Sequence, residues 1–258
     1  DIRFFRFEAG ARWHDFQHYA DDQYFIDPCK LLLTTPGIDM QTGEYEATGI
    51  PAAILAHYLR ESSVIPEKAD LNSILFLLTP AETLAKFQHL VARIVRFEKH
   101  IRENSPVTQV LPTLAKAYPQ YRKLSINELC QLMHNFYAKH QLNKRQKQMF
   151  EREHRPKVAI SAFDAHNAFI RNEVELVSLH DIKGRIAMEG ALPYPPGVYC
   201  IVPGEVWDGA VLDYFLALQE GVNRLPGFEP EVQGVYWEYD DQGKKVAYAY
   251  VLKQPHQI

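Results

Sequence analysis

The first hundred residues alternate short apolar runs with amphipathic stretches. Residues 31–35 and 73–78 are rich in apolar side chains and predict buried strands, and Pro36-Gly37 ends the first of them. Apolar positions at helical spacing follow Pro51. They recur from residue 79 to about 102, where a Thr-Pro-Ala-Glu sequence has the composition of a helix start. The order strand, helix, strand, helix predicts a layered α/β unit.

The pattern changes after Asn104-Ser105-Pro106, which is the best candidate for a linker. Helices are predicted over residues 125–140 (opened by a Ser125–Glu128 capping box), 143–154, 164–171 and 208–221. Strands are predicted over residues 174–179, 185–188 and 198–202, and a closing hairpin over 232–239 and 245–252. This mixture predicts an α+β region.

The opening thirty residues are aromatic-rich and irregular. The aromatic side chains are Phe4, Phe5, Phe7, Trp13, Phe16, Tyr19, Tyr24 and Phe25. They need another surface to cover them. Because the chain starts at Asp1 and its first residues alternate charged and aromatic side chains, we expect it to be part of a longer protein.

Composition and charge exclude several classes of protein. The 258 residues are 47% hydrophobic and 23% charged, as in globular proteins and not in disordered ones. A net charge of -4 gives no overall attraction to nucleic acid or to an anionic membrane. The basic run at residues 144–147 is interpreted as a solvated helix face. No apolar run approaches the roughly 18 residues of a membrane span. Neither nucleic acid nor a membrane is therefore an expected partner.

Few residues carry recognisable chemistry. Cys29, Cys130 and Cys200 form no CxxC pair and are interpreted as small buried hydrophobes, which suits a reducing, cytoplasmic location. His14 and His18 are four residues apart but lack a third ligand, so they are interpreted as a surface or packing pair. His134 and His140 are six residues apart and therefore fall on different helix faces. No nucleotide-binding, nucleophile-elbow or zinc-protease motif is present, and no metal site is predicted.

Two segments leave alternatives open. Residues 189–198, followed by 202–205, are rich in proline and glycine; a rigid connector is favoured, and the alternative is a loop that presents Tyr194 or Glu205 to a ligand. Residues 65–73 lead into the second predicted strand. Taken by itself, Glu67 in this segment is interpreted as a surface carboxylate, and the alternative is a binding role.

A family resemblance changes the weight of these alternatives. The sequences that carry it are, in order, DPCK at 27–30, TTPG at 34–37, GIPA at 49–52, PEKADLNSILFLLTP at 66–80, ALPYPPG at 191–197 and VPGE at 202–205. Together they resemble the bacterial ornithine/lysine/arginine decarboxylases, most closely the ornithine branch. The resemblance covers nearly the whole chain.

The resemblance implies a fold class and a domain division. The family uses pyridoxal 5'-phosphate on a fold-type-I, aspartate aminotransferase-like scaffold. We expect the tail of the large cofactor domain at residues 1–30, an aminotransferase-like small α/β domain at 31–104, and the family's α+β C-terminal domain at 105–258. The remaining large domain would be the main partner, and the complete enzyme would form a homo-oligomer.

The resemblance also implies a reaction and one site residue. The family's Schiff-base lysine lies in a Ser-x-His-Lys segment, and this sequence contains no His-Lys dipeptide. No catalytic or cofactor-binding residue is therefore assigned, and the chain alone is expected neither to hold the cofactor nor to decarboxylate. Glu67 matches the family's glutamate for the distal ammonium of the substrate, here ornithine; Lys68 could neutralise it instead. The alternatives are a lysine or arginine decarboxylase of the same family, or a non-catalytic structural or oligomerisation module.

Overall fold

The computed structural model describes residues 7–10, 16–20, 23–39, 42–194 and 197–254. Contacts divide the chain into two compact units, Asp1–Asn135 and Phe136–Ile258, called below the first and the second unit. The domain boundaries predicted after residues 30 and 104 stay predictions. Phe4, Phe5, Trp13 and His14, on which sequence expectations were placed, lie outside the described residues.

The first unit contains a small antiparallel sheet. Its strands are β1 (Lys30–Thr34), β2 (Lys68–Ala69) and β3 (Ser73–Leu77), in the order β1-β3-β2. Both apolar runs predicted as strands are confirmed within one residue. The central strand β3 alternates half-buried and buried side chains, because successive residues of a strand face opposite sides of the sheet.

One helix lies between β1 and β2 in the sequence, and a second follows β3. Helix α1 (Ala52–Glu61) follows Pro51 as predicted, and six of its ten side chains are buried. Helix α2 (Leu84–Glu103) starts later than predicted. The Thr-Pro-Ala-Glu sequence forms a turn instead, in which the N–H of Glu82 donates to the carbonyl of Thr79 at 3.0 Å. Thr83 is the N-cap, with its hydroxyl accepting from the N–H of Lys86.

The predicted linker is a packed connection. Asn104 ends α2 in the left-handed conformation, with φ 49°, and Ser105 is buried. The hydroxyl of Ser105 bonds Nδ1 of His100 at 3.0 Å, and its carbonyl accepts from Ile126 at 2.8 Å. The helices that follow are α3 (Val107–Val110), α4 (Pro112–Ala117) and α5 (Ile126–His140), with a 3₁₀ turn at Pro119–Tyr121 before α5.

The predicted capping box at the start of α5 is confirmed. The N–H of Ser125 donates to the carboxylate of Glu128 at 2.7 Å, and the N–H of Glu128 donates to the hydroxyl of Ser125 at 3.3 Å. The hydrogen bond from the Ser125 backbone lowers the pKa of Glu128, because it favours the ionised carboxyl.

The second unit combines helices with two antiparallel sheets. The helices are α6 (Leu142–Gln148), α7 (Ala162–Ile170) and α8 (Gly209–Arg224). The larger sheet has the order β4-β8-β7 and contains β4 (Val174–Ser178), β7 (Tyr236–Tyr239) and β8 (Lys245–Leu252). The smaller sheet pairs β5 (Leu192–Tyr194) with β6 (Glu231–Gln233).

Some predictions for the second unit are corrected by the structure. Residues 185–188 and 198–202 make only isolated bridges, such as Ile186 with Val206 and Ala191 with Ile201, so they are not strands. The polar helix α6 ends at Gln148, before the predicted residue 154. The closing hairpin is confirmed for β7 and β8, but β6 turns away from it to pair with β5.

The prediction that the cysteines are buried is confirmed for two of the three. Cys130 and Cys200 are buried, which raises the pKa of each thiol to about 12, and Cys29 is half-buried; all three are unpaired. Among the described residues no helix combines the length and the apolar character that crossing a membrane requires.

Candidate functional site

Glu67 lies immediately before β2, at the base of the hairpin formed by β2 and β3. Its N–H donates to the carbonyl of Leu75 at 2.8 Å, beyond the ladder pairs Lys68 with Leu75 and Ala69 with Ile74. Pro66, just before it, is buried. The backbone of Glu67 is therefore fixed by the sheet on one side and by a buried proline on the other.

The carboxylate of Glu67 is exposed and unused by the fold. It makes no hydrogen bond or ion pair with any described residue, and neither does the ammonium of Lys68. Lys68 therefore does not neutralise it through a direct contact. Other glutamates of the first unit are committed: Glu46 accepts from the N–H of Gly37 at 3.1 Å, and Glu61 accepts from the N–H of Thr113 at 3.1 Å. A carboxylate left open at a rigid backbone position is available to a ligand.

A groove of about 550 Å³ lies beside the end of β3. Its walls are the loop Ser63–Ile65, the end of β3 and the first turns of α2. Ile65 and Leu77 are exposed along it. Two polar side chains at its rim, Lys86 and Glu82, form an ion pair at 3.0 Å. Glu67 is not among the lining residues, so the groove and the carboxylate are separate features.

A buried asparagine fastens the tip of the same hairpin. Asn72 is 6% exposed and occupies the turn between β2 and β3. Its side-chain amide donates to the carbonyl of Pro36 at 2.9 Å, to the hydroxyl of Thr35 at 3.3 Å and to the carbonyl of Ile50 at 3.4 Å. Its own carbonyl accepts from the N–H of Thr35 at 2.9 Å. Sequence reasoning did not single out Asn72, since an asparagine in a turn is ordinary.

A buried histidine packs behind this turn. Nε2 of His134, on α5, lies 2.8 Å from the carbonyl of Glu46, and the side chain is 1% exposed. Two glycines pass close to its ring: a Cβ on Gly49 would lie 2.3 Å from Nδ1, and one on Gly37 would lie 3.1 Å from it. Glycine is required at both positions because no larger residue leaves room for the imidazole. His134 and His140 have different partners, as their spacing predicted, since His140 lies 3.3 Å from Glu220.

The candidates of the second unit serve its structure. The carboxylate of Glu205 accepts from the N–H of Val202 at 2.8 Å, and its carbonyl accepts from Ala187 at 2.7 Å. The ring of Tyr194 packs over Gly197, where a Cβ would lie 2.8 Å from the ring. These contacts support the connector interpretation of this proline-rich segment. Among the described residues, no group of three or more histidines, cysteines and carboxylates is placed to hold a metal ion.

Comparison with protein families gives two matches. Residues 1–86 match the Orn/Lys/Arg decarboxylase major domain, and residues 143–253 match the Orn/Lys/Arg decarboxylase C-terminal domain. The chain belongs to the Orn/Lys/Arg decarboxylase family. Glu67, Asn72 and the glycines Gly37 and Gly49 all lie in the part that matches the major domain.

Similar proteins of this family carry both ornithine and lysine decarboxylase names. The chain is 60% identical over 254 residues to the constitutive ornithine decarboxylase of Escherichia coli (strain K12), covering 98% of this chain and 36% of that protein. It is 56% identical to the ornithine decarboxylase of Haemophilus influenzae, covering 98% of this chain and 35% of that protein. The chain thus spans about a third of the length of the curated relatives it matches.

A solved structure confirms the predicted fold class. The constitutive lysine decarboxylase of E. coli superposes with a TM-score of 0.86 at 32% identity, covering 96% of this chain and 35% of that one. The fold is the mixed α/β arrangement of the fold-type-I family, as predicted. The identity to that lysine decarboxylase is about half of the 60% identity to the E. coli ornithine decarboxylase.

Proposed function

We propose that this chain is part of a pyridoxal-phosphate-dependent ornithine decarboxylase, which converts L-ornithine to putrescine and CO2 in polyamine biosynthesis. The single observation that carries the proposal is the 60% identity over 98% of the chain to a protein named as an ornithine decarboxylase. The open carboxylate of Glu67, in the same part of the chain as the major-domain match, supports it independently.

Glu67 is proposed to bind the distal ammonium of ornithine. Ornithine carries a cation at the far end of its side chain, and a carboxylate there forms a charge-assisted hydrogen bond worth about 1.5–3 kcal/mol. The same carboxylate discriminates against an apolar amino acid, which would leave it desolvated and unpaired. Because no described residue pairs with Glu67, binding the ammonium would displace no internal partner.

The residues of this chain do not by themselves fit the cofactor. Pyridoxal phosphate needs a lysine amine held away from water to form its Schiff base, and it supplies the electron sink for loss of CO2. Every lysine of the chain falls in the described ranges, and none is buried. The cofactor lysine is therefore proposed to come from the rest of the protein, which would be the main partner of this chain in a homo-oligomer. A cytoplasmic location completes the proposal, because its three cysteines are unpaired.

The experiment that tests the role of Glu67 is the kinetics of Glu67→Gln in the full-length protein. We expect KM for ornithine to rise about tenfold or more, because a neutral amide replaces a charge-assisted partner. The binding of L-norvaline, which lacks the distal ammonium, should not weaken. Glu98→Gln, another exposed glutamate of the first unit, is the matched control and should leave KM unchanged. Unchanged KM in Glu67→Gln would remove Glu67 from the substrate site.

Two further measurements separate the alternatives. Turnover of ornithine, lysine and arginine by the full-length protein, compared as kcat/KM, is expected to be highest for ornithine; a higher value for lysine or arginine would overturn the substrate assignment. The isolated chain incubated with pyridoxal phosphate should show no visible chromophore. A chromophore that survives dialysis and disappears with borohydride would contradict the absence of the cofactor lysine.

A further inference from the structure

We propose that Asn72 is a positioning residue for Glu67, and that it sets the preference for ornithine over lysine. This inference rests on the proposed role of Glu67 in substrate binding. Asn72 itself need not contact the substrate, since its amide is committed to the backbone and side chain of neighbouring segments. The juxtaposition that carries the inference is a short hairpin with Glu67 at its base and a buried amide at its tip.

Strand β2 is the least supported part of the hairpin, since β3 pairs with β1 along five residues. Strand β2 has only two residues, Lys68 and Ala69, and the ladder gains one more hydrogen bond from the N–H of Glu67 to Leu75. A strand of two residues contributes few hydrogen bonds of its own, so it relies on its neighbours. The position of Glu67, just before β2, therefore depends on what holds the turn at the other end of that strand.

The turn is fastened to two separate segments of the chain. The carbonyl of Leu71 accepts from the N–H of Ala52, at the start of α1, and the carbonyl of Asn72 accepts from Thr35, at the end of β1, each at 2.9 Å. The side-chain amide of Asn72 then bridges these two segments, by donating to Pro36 on one side and to Ile50 on the other. Without the amide, the hydrogen bonds from Thr35 and from Ala52 would remain between these segments and the turn.

The segments that Asn72 bridges are themselves closely packed. The carbonyl of Pro36 also accepts from the N–H of Ile50 at 2.8 Å, and Gly37 and Gly49 pack against each other in front of His134. Gly37 needs its freedom, since its φ is 128° and a Cβ would lie 2.8 Å from the Cα of Gly49. Asn72 is thus attached to a rigid support, and the rigidity passes through the hairpin to the base where Glu67 lies.

Precise placement of Glu67 matters because the substrates differ by one methylene. Ornithine and lysine carry the same distal ammonium, and lysine places it one carbon farther from the reacting α-carbon. A single methylene distinguishes substrates by about tenfold to 200-fold, and only when the site cannot relax to accept it. A hairpin released from its anchor would let Glu67 follow either ammonium, so the preference would fall while binding of a distal cation persisted.

The test is a double-mutant cycle in the full-length protein. Asn72→Ala should raise KM for ornithine and lower the ornithine-to-lysine ratio of kcat/KM about fivefold to tenfold, within the range one methylene can supply. Asn72→Asp, which turns a carboxylate toward the carbonyl oxygens of Pro36 and Ile50, should have the larger effect. In the Glu67→Gln background, Asn72→Ala should add no further change in the ratio, because coupled residues are not additive.

The matched control is Asn223→Ala in the second unit. Asn223 also bonds backbone groups at two separate places, through Gln219 and Lys245, so its loss should lower the melting temperature without changing the substrate ratio. If Asn72→Asp does not fold, the test relies on Asn72→Ala, compared with the Asn223→Ala control at a similar melting temperature. A ratio unchanged in Asn72→Ala, or changed equally with and without Glu67, overturns the positioning role. An unchanged KM in Glu67→Gln alone would overturn the proposed function instead.

Discussion

Among the described residues, each unit buries one amide side chain, and the two amides are used differently. Asn72 in the first unit is 6% exposed and Gln219 in the second is 7% exposed. Gln219 lies on α8 and ties it to β8, because its Oε1 accepts from the N–H of Ala247 at 2.7 Å and its Nε2 lies 2.7 Å from the ring Nε2 of His180. Asn72 lies in a turn and ties two connecting segments, and its Oδ1 has no partner among the described residues.

The difference distinguishes an amide that joins a helix to a strand from an amide that fixes a turn. Gln219 joins α8 to β8 through its oxygen and contacts His180, in the turn after β4, through its nitrogen. Helix α8 buries seven of its sixteen side chains. Asn72 uses its amide nitrogen, which donates to backbone carbonyls of two connecting segments.

The largest effect is expected from filling the space between Gly49 and His134, behind Asn72. In Gly49→Ala the new Cβ would lie 2.3 Å from Nδ1 of His134 and 2.9 Å from the Cα of Gly37, so the backbone must move. We expect a loss of about 3 kcal/mol in the free energy of unfolding, as for severe overpacking. Gly184→Ala is the control, because its φ is 79° but no atom lies within 4 Å of the new Cβ; it should cost about 1 kcal/mol. Chemical denaturation measures both, and equal losses would mean that the close approach is unimportant.

A smaller effect is expected from the amide of the second unit. Gln219→Leu preserves most of the side-chain volume but leaves the N–H of Ala247 without its acceptor. A buried donor without a partner costs about 1–3 kcal/mol, so we expect a loss near the middle of that range. Gln148→Leu, at an exposed position of α6, should change the melting temperature little. A tolerated Gln219→Leu would show that water or a shifted backbone replaces the lost acceptor.

The helix caps should give the same moderate effect in both units. Ser125 caps α5, and the hydroxyl of Ser161 caps α7 by accepting from the N–H of Asp164 at 3.1 Å. Replacing either serine with alanine removes a partner from an otherwise unpaired helix N–H and should cost about 1 kcal/mol. Thermal unfolding of Ser125→Ala and Ser161→Ala checks this, with variants that carry glycine in place of the same serines as references. A loss confined to one unit would indicate that only one cap is formed in solution.

The smallest effect concerns acid. Burial lowers the pKa of His100 in the first unit and of His140 in the second. Each imidazole therefore takes up a proton less readily in the folded protein than in the unfolded chain. Stability is therefore complete above the ordinary histidine pKa of about 6.5 and is lost as pH falls below it toward the folded pKa. Glu220, 3.3 Å from His140, opposes the shift there.

The two histidines can be compared directly. Between pH 7.5 and pH 5.5, the melting temperature should fall less in His100→Gln than in the unaltered protein. His140→Gln should reduce this fall by a smaller amount than His100→Gln does, because Glu220 stabilises the protonated ring of His140. The same slope in all three proteins would assign the acid sensitivity to other groups.

Much of the fold could be predicted from local sequence, and the errors have local causes. The capping box at Ser125 predicted the start of α5, whereas the similar sequence at Thr79 closed a turn and left Thr83 to cap α2. Both sequences have the side chains of a capping box. Whether such a sequence starts a helix or closes a turn depends on the path of the chain, which at Thr79 has just left β3. The strand predictions at 185–188 and 198–202 were wrong, because these residues pair with their neighbours through single bridges and not along a continuous ladder.

Glu67 could be proposed from the sequence, but Asn72 could not. Glu67 lies within a long continuous sequence that carries the resemblance to the family, so proposing it does not depend on distant contacts. Asn72 reaches residues 36 and 37 positions away, and His134 reaches a carbonyl 88 positions away. Hydropathy and spacing describe windows of one element, and they carry no information on which turns meet.

The amino-acid sequence by itself determined the family, most of the helices and strands, and Glu67 as the candidate residue before β2. The tertiary structure alone decided that Gly37 and Gly49 touch in front of His134 and that one amide joins β1, α1 and the hairpin. The physical reason is range. Propensities, caps and hydrophobic periodicity act between near neighbours along the chain, whereas steric exclusion and buried hydrogen bonds act between whatever groups the packed backbone brings together.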